Sequence, residues 1–301
     1  MLRLLLVVFC ATSILADTPK GPATDPGKTQ GPAPNPAPKG NLPEYPEYCN
    51  ESLAIINSVN KRGDTALHIA AKAGFVNLTE HLIEYGANIS ARDKDGNYPI
   101  HIATLYNNTE TVDVLIRANA SVEVHNKEGN SPLIMAVGNN NLNITSNLID
   151  HGANVNHAKK DGVTPLYTAV AQGNLQLTQT LLDKNAKINS TTMEGNTPLH
   201  VATTVKDPKM VQLIFTRNPN VKAVNKKKYT ALHMAVIHGN KDAVSVLVEK
   251  GSDLAALNED GNTALQVAII EGFPDIAEML LNATTTYAIW LRRTKQNPIF
   301  N

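Results

Sequence analysis

Apolar and polar positions in this chain repeat every 33 residues between Asn60 and Asn282. Alanine holds one phase of the repeat, at Ala70, Ala103, Ala136, Ala169, Ala202, Ala235 and Ala268. A large aliphatic residue holds a second, at Leu82, Leu115, Leu148, Leu181, Ile214, Leu247 and Leu280. Around the second ladder, apolar residues fall at helical spacing, as in Leu78, Leu82 and Ile83. A fixed period of this length marks a stacked array, in which each unit buries its apolar face on its neighbours. The predicted fold class is all-α.

Local signals divide each unit. In Asn60–Arg92, Arg62-Gly63-Asp64 predicts a turn, and its glycine recurs as Gly96, Gly129, Gly162, Gly195 and Gly261. A glycine fixed in phase points to a backbone position with positive φ, and Lys228 alone departs from it. Thr65 stands where a helix N-cap is wanted. Pro99, Pro132, Pro165 and Pro198 suit the first helical turn that follows. Gly74, with Asn107, Asn140 and Gly173 in phase, ends the first helix, since Gly and Asn tolerate a left-handed C-cap. Pro208 and Pro274 open the second helices of their units, and Gly86, Asn119, Gly152, Asn185, Asn218 and Gly251 close second helices. Each unit therefore reads as turn, short helix, turn, longer helix and loop.

The stretch Thr197-Pro198-Leu199-His200-Val201-Ala202 recurs in six further variants, which makes seven copies. Together with the closings Gly86–Ile89 and Gly152–Val155 it resembles ankyrin repeats, over residues 60–282. The resemblance implies an ankyrin-repeat solenoid of helix-turn-helix units with β-hairpin-like finger turns. It also implies a non-catalytic protein–protein interaction role, and structural histidines at His68, His101, His200 and His233 that bond within and between turns. Ile134, Tyr167 and Gln266 depart in the histidine phase, so local hydrogen bonding is expected to change there.

The flanks differ in composition. Residues 1–16 carry Arg3, an apolar run from Leu4 to Ala11 and a small residue before Asp17, which predicts a cleaved signal peptide and a chain that is secreted or kept in the lumen of the secretory pathway. The run is too short to span a bilayer, and no later stretch spans one. Residues 17–46 are rich in Pro, Gly and Lys and read as a disordered, extended linker. Residues 47–59 are expected to form an N-terminal capping helix with Leu53, Ile56 and Val59 on one face. Residues 283–301 leave the period and are expected as a C-terminal cap or tail, with Trp290 as a capping contact. Cys49 is the one cysteine outside the leader, so it is either a thiol half-buried under the N-terminal cap or one arm of an intermolecular disulfide.

Composition narrows the partners. Lys plus Arg equals Asp plus Glu at 27 each, which gives no global field toward nucleic acid or an anionic membrane. Lys206, Lys209, Arg217, Lys222, Lys226, Lys227 and Lys228 form a basic cluster, read first as a solvated face and second as a site for an acidic partner. No nucleophile elbow, phosphate loop or metal-ligand spacing is present, and no cofactor is expected. Eight sequons, at Asn50, Asn77, Asn88, Asn107, Asn119, Asn143, Asn189 and Asn282, are expected as glycosylation sites in an exported chain.

Such arrays expose a concave surface of fingers and first helices. Leu105, Tyr106, Val205, Ile237 and Ile270 are apolar at positions expected to face it, and Val163 and Tyr229 stand on the fingers. Together they are expected to anchor an unidentified protein partner. The alternative reading is an extracellular scaffold or spacer linked through Cys49.

Overall fold

The computed structural model describes residues 52–295, with side chains through residue 286. The expected signal peptide, the Pro-rich segment, Cys49 and Asn50 lie outside the described residues. Fifteen helices form the described chain. Residues 52–56 are α1. The seven units contribute α2 (Ala66–Ala73) and α3 (Val76–Glu84), α4 (Pro99–Leu105) and α5 (Thr109–Arg117), α6 (Pro132–Gly138) and α7 (Leu142–Asp150), α8 (Pro165–Ala171) and α9 (Leu175–Asp183), α10 (Pro198–Ala202) and α11 (Pro208–Phe215), α12 (Ala231–Ile237) and α13 (Lys241–Glu249), and α14 (Ala264–Ile270) and α15 (Pro274–Lys295). No strand occurs among the described residues, which form an all-α solenoid of stacked helix-turn-helix units.

The first helices start where their caps dictate. Thr65, Ser131, Thr164, Thr197, Thr230 and Thr263 each accept, through the side-chain oxygen, the N–H three residues on. This satisfies one of the amides that a helix start leaves orphaned. Every ladder alanine is buried, so first helices pack backbone-close against those of the next unit. Leu115, Leu148, Leu181, Ile214, Leu247 and Leu280 are buried on the second helices. Leu82 is only half-buried, in the first unit, where Ile56 of α1 packs on the core. Asn57, just after α1, donates Nδ2 to the Gly86 carbonyl and accepts the Asn88 N–H at 2.7 Å, which ties this segment to the first unit.

Two departures from the period have local causes. Lys206 takes the phase that Gly or Asn holds elsewhere, and it does not enter the left-handed region. The first helix of unit five, α10, ends early at Ala202, and the Thr203 and Thr204 hydroxyls donate to the carbonyls of His200 and Val201. At the other end, Thr284 stands where Gly or Asn closes a second helix. With no left-handed residue to stop it, α15 runs on to Lys295, so the tail continues a helix through residue 295 and does not turn back over the array. The side chain of Trp290 lies outside those described.

Candidate functional site

The concave face is built from turns first. Asn126 Oδ1 accepts the N–H groups of Glu128 and Asn130 at 3.0 and 2.9 Å, and Asn126 N–H donates to the Asn130 carbonyl. This is an Asx turn closed like a small hairpin, with Gly129 at φ 84°. Asp93, Asn225 and Asn258 organise their fingers in the same way. Successive fingers are tied by one backbone bond each, from Lys94 to Arg62, Lys127 to Asp95, Met193 to Asp161, Lys226 to Glu194 and Glu259 to Lys227. Sequence reasoning missed this Asx position, although Asn or Asp three residues before the phased glycine was its signal.

Each phased histidine joins a finger to the preceding helix. The Nδ1 atoms of His68, His101, His200 and His233 accept the N–H of Thr65, Tyr98, Thr197 and Thr230. Their Nε2 atoms lie 2.9 to 3.1 Å from the carbonyl oxygens of Asn97, Asn130, Tyr229 and Asn262 in the next unit, which only a protonated Nε2 can satisfy. The imidazoles are therefore neutral staples with a fixed tautomer. Burial pushes the His101 pKa down to about 4, and it also lowers those of His200 and His233. Gln266 reproduces only the inner half of the device, its Oε1 accepting the Thr263 N–H at 2.8 Å. Ile134 offers neither half, and Tyr167 offers no bond across to the next finger.

The junction of units three and four is built differently. Lys159 occupies the Asx position of the fourth finger, and the finger-to-finger bond from Lys160 to Glu128 is not made among the described residues. His157 takes its place, donating from Nε2 to the Gly129 carbonyl at 2.8 Å. Its ring stacks on His125 at 3.9 Å. The His125 Nε2 is buried without a partner, and its pKa is lowered by burial and by the neighbouring His157.

Across this junction the concave face deepens into a notch of about 670 Å³. Leu105, Ile134 and Met135 line its apolar part, Gly138 and Thr168 leave it room, and Asp95, Lys127, Glu128 and Lys159 rim it from the fingers. Met135 belongs to a column just before the ladder alanines, with Ile69, Ile102, Val201, Met234 and Val267, that sequence reasoning missed. One helical turn separates it from the positions two after each alanine, so both columns share a face.

The seven residues expected to anchor a partner spread over units two, four, five, six and seven. Leu105 and Tyr106 end α4, each 47% exposed, with Lys72 Nζ 4.9 Å above the Tyr106 ring. Of the seven, Leu105 alone lines the notch. Ile270 is exposed at the end of α14. Val163 and Tyr229 are half-buried on their fingers, and the Tyr229 ring lies 6.0 Å from His233. Val205 and Ile237 are half-buried and pack on the core. Because α10 stops at Ala202, Val205 sits in the turn beyond the helix, a correction to its expected helical position.

The ankyrin-repeat family model, in three copies, matches residues 44–126, 100–192 and 199–289. The chain belongs to the ankyrin-repeat family. Among solved structures, the crystal structure of the ankyrin repeat domain of Bcl-3, titled a unique member of the IkappaB protein family, is similar at 28% identity and a TM-score of 0.62. The match covers 69% of this chain and 95% of that one. A search of curated proteins by sequence returns no match. Ankyrin repeats are generic protein–protein interaction modules. With 617 solved chains matching this ankyrin fold, the architecture alone does not select a partner. Among the described residues, no helix is long and apolar enough to cross a membrane, and no three His, Cys, Asp or Glu side chains gather as a metal site.

Proposed function

We propose that this ankyrin-repeat chain is an exported, non-catalytic binding module that holds a protein partner in the notch of units two to four. The observation that carries this reading is the notch itself, an apolar floor of Leu105 and Met135 beside the small Gly138, rimmed by finger charges of both signs. An apolar centre with a polar rim is the layout that concentrates binding energy in protein interfaces. The mixed rim favours a partner segment that carries both charges rather than a polyanion. The apolar leader of residues 1–16 supports export.

The notch is tested by filling it. Gly138 is exposed, and a Cβ added there meets no atom within 4 Å, so Gly138→Trp enters the notch without disturbing the core. Partners captured from extracellular fluid by the wild-type chain are expected to be lost by Gly138→Trp and by Leu105→Asp. Helical melting is expected to change by less than about 1 kcal/mol. Capture undiminished in both variants would place the interface elsewhere.

A further inference from the structure

Several described asparagines use their Nδ2 to hold neighbouring units together. Asn57, Asn108, Asn139 and Asn240 donate Nδ2 to backbone carbonyls of other units, and none of them stands in a sequon. Three of the seven described sequon asparagines use the oxygen instead. Asn88 Oδ1 accepts the Ser90 N–H at 2.9 Å, Asn107 Oδ1 accepts from Asn141 Nδ2 at 2.5 Å, and Asn189 Oδ1 accepts the Asn220 N–H at 2.8 Å. No sequon asparagine among the described residues donates its Nδ2 to the protein. All seven are exposed, and they lie on second helices or on the turns and loops beside them. None lies on a finger or a first helix.

We propose that this ankyrin array carries N-linked glycans at Asn88, Asn107, Asn119 and Asn189, so that its outer face is clothed and its concave face bare. The proposal rests on the proposed export, because the donor is a lipid-linked diphospho-oligosaccharide found in the secretory pathway. In the transfer, Nδ2 attacks the anomeric carbon, the bond from that carbon to the diphosphate oxygen breaks, the lipid diphosphate leaves, and Nδ2 gives up one proton to solvent. At Asn88, Asn107 and Asn189 the carbonyl oxygen keeps its hydrogen bond, and the Asn119 amide holds nothing in place, so the fold retains every side-chain hydrogen bond that these residues make. A sugar on Asn108 Nδ2 would instead displace its bonds to the Ala71 and Lys72 carbonyls.

The sequon hydroxyls sort the sites further. Ser90, Ser121 and Thr191 are exposed, and Thr109 is half-buried at the very start of α5. Thr79 and Thr145 are fully buried inside helices, so Asn77 and Asn143 can be modified only before α3 and α7 form. Asn282 lies in the middle of α15 and falls with them.

The test expresses the full mature chain behind a cleavable heterologous leader in a eukaryotic secretory cell. Occupancy is read by peptide mass spectrometry as the asparagine-to-aspartate mass change left by enzymatic glycan release. Modification is expected at the four loop sites, with lower occupancy at Asn77, Asn143 and Asn282. Ser90→Ala and Thr109→Ala, which leave Asn88 and Asn107 in place, should each remove one step of glycan-dependent gel mobility. A secreted chain whose four loop sites are all unmodified overturns the proposal. A parallel chain behind its own first sixteen residues tests export separately. If it stays inside the cell, the export reading fails, and the heterologous-leader arm still decides the glycan sites.

Discussion

His101 Nε2 donates to the Asn130 carbonyl at 3.0 Å, while His101 Nδ1 accepts the Tyr98 N–H at 3.2 Å. One buried imidazole thus caps its own helix and holds the finger of the next unit. The same pair of bonds recurs from His68 to Asn97, His200 to Tyr229 and His233 to Asn262.

Stability should therefore fall in mild acid. An unfolded imidazole takes up a proton near 6.5, whereas folded His101 resists protonation down to about 4. Between those values the unfolded chain binds more protons, so stability is full above pH 6.5 and declines as pH falls toward 4. His101 alone accounts for a swing on the order of 3 kcal/mol, and His200 and His233 act in the same direction. Urea unfolding at pH 7, 6 and 5 checks this, and a flat profile contradicts it.

His101→Gln separates the two halves of the staple. Gln266 shows that glutamine can accept the cap N–H. The substitution should keep the helix start, lose the bond to Asn130, cost about 1–2 kcal/mol and remove the His101 share of the pH dependence. Unfolding of both proteins at pH 7 and pH 5 reads the two effects together.

Much of this was legible in the sequence, because a strict period makes every rule testable seven times. The caps, the alanine ladder and the positive-φ turns follow from residue types in phase. The notch was not legible, since it depends on Gly138 being small beside Leu105, with Lys159 reaching in from the following unit. Neither was the shortened α10, where Thr203 and Thr204 turn their hydroxyls back on the helix and Lys206 stands in the Gly or Asn phase without the left-handed turn. Exposure of single apolar residues was the weakest guide: Val205 and Ile237 pack inward, while the column containing Met135 shares the groove face.

Thr178 stands in phase with Val112, Val211 and Val244, all fully buried. Its hydroxyl is buried without a partner, unlike that of Thr79, which donates to the Phe75 carbonyl. Thr178→Val should raise stability by about 1 kcal/mol in thermal or urea unfolding. A loss of stability would mean that the hydroxyl has found a bond.

Lys228 adopts φ 56° where other units place glycine. A left-handed conformation costs a side-chain-bearing residue about 1–2 kcal/mol, and glycine's extra freedom in the unfolded chain returns part of that. Lys228→Gly should stabilise the array by about 0.5–1 kcal/mol, measured by urea unfolding at neutral pH.

Leu181 is fully buried in the middle second helix, α9. Leu181→Ala should cost about 2–5 kcal/mol and broaden the unfolding transition, because a linear array loses cooperativity near a damaged unit. Hydrogen exchange should accelerate first in units four and five, and an even acceleration along the chain would show that the array unfolds as one block.

The third and fourth units meet without the staple at Ile134 and without the bond from Lys160 to Glu128, and His157, in the loop that leads into the fourth finger, reaches back to the Gly129 carbonyl instead. On its finger side this junction lacks the backbone bond that every other pair of neighbouring fingers makes, while Gln172 to Gly138, Asn174 to Asn140 and Lys184 to Asp150 hold it on the side of the helices and their turns. The notch lies over that unbonded finger edge. A partner in the proposed site would therefore span two fingers that the fold itself leaves unjoined by backbone.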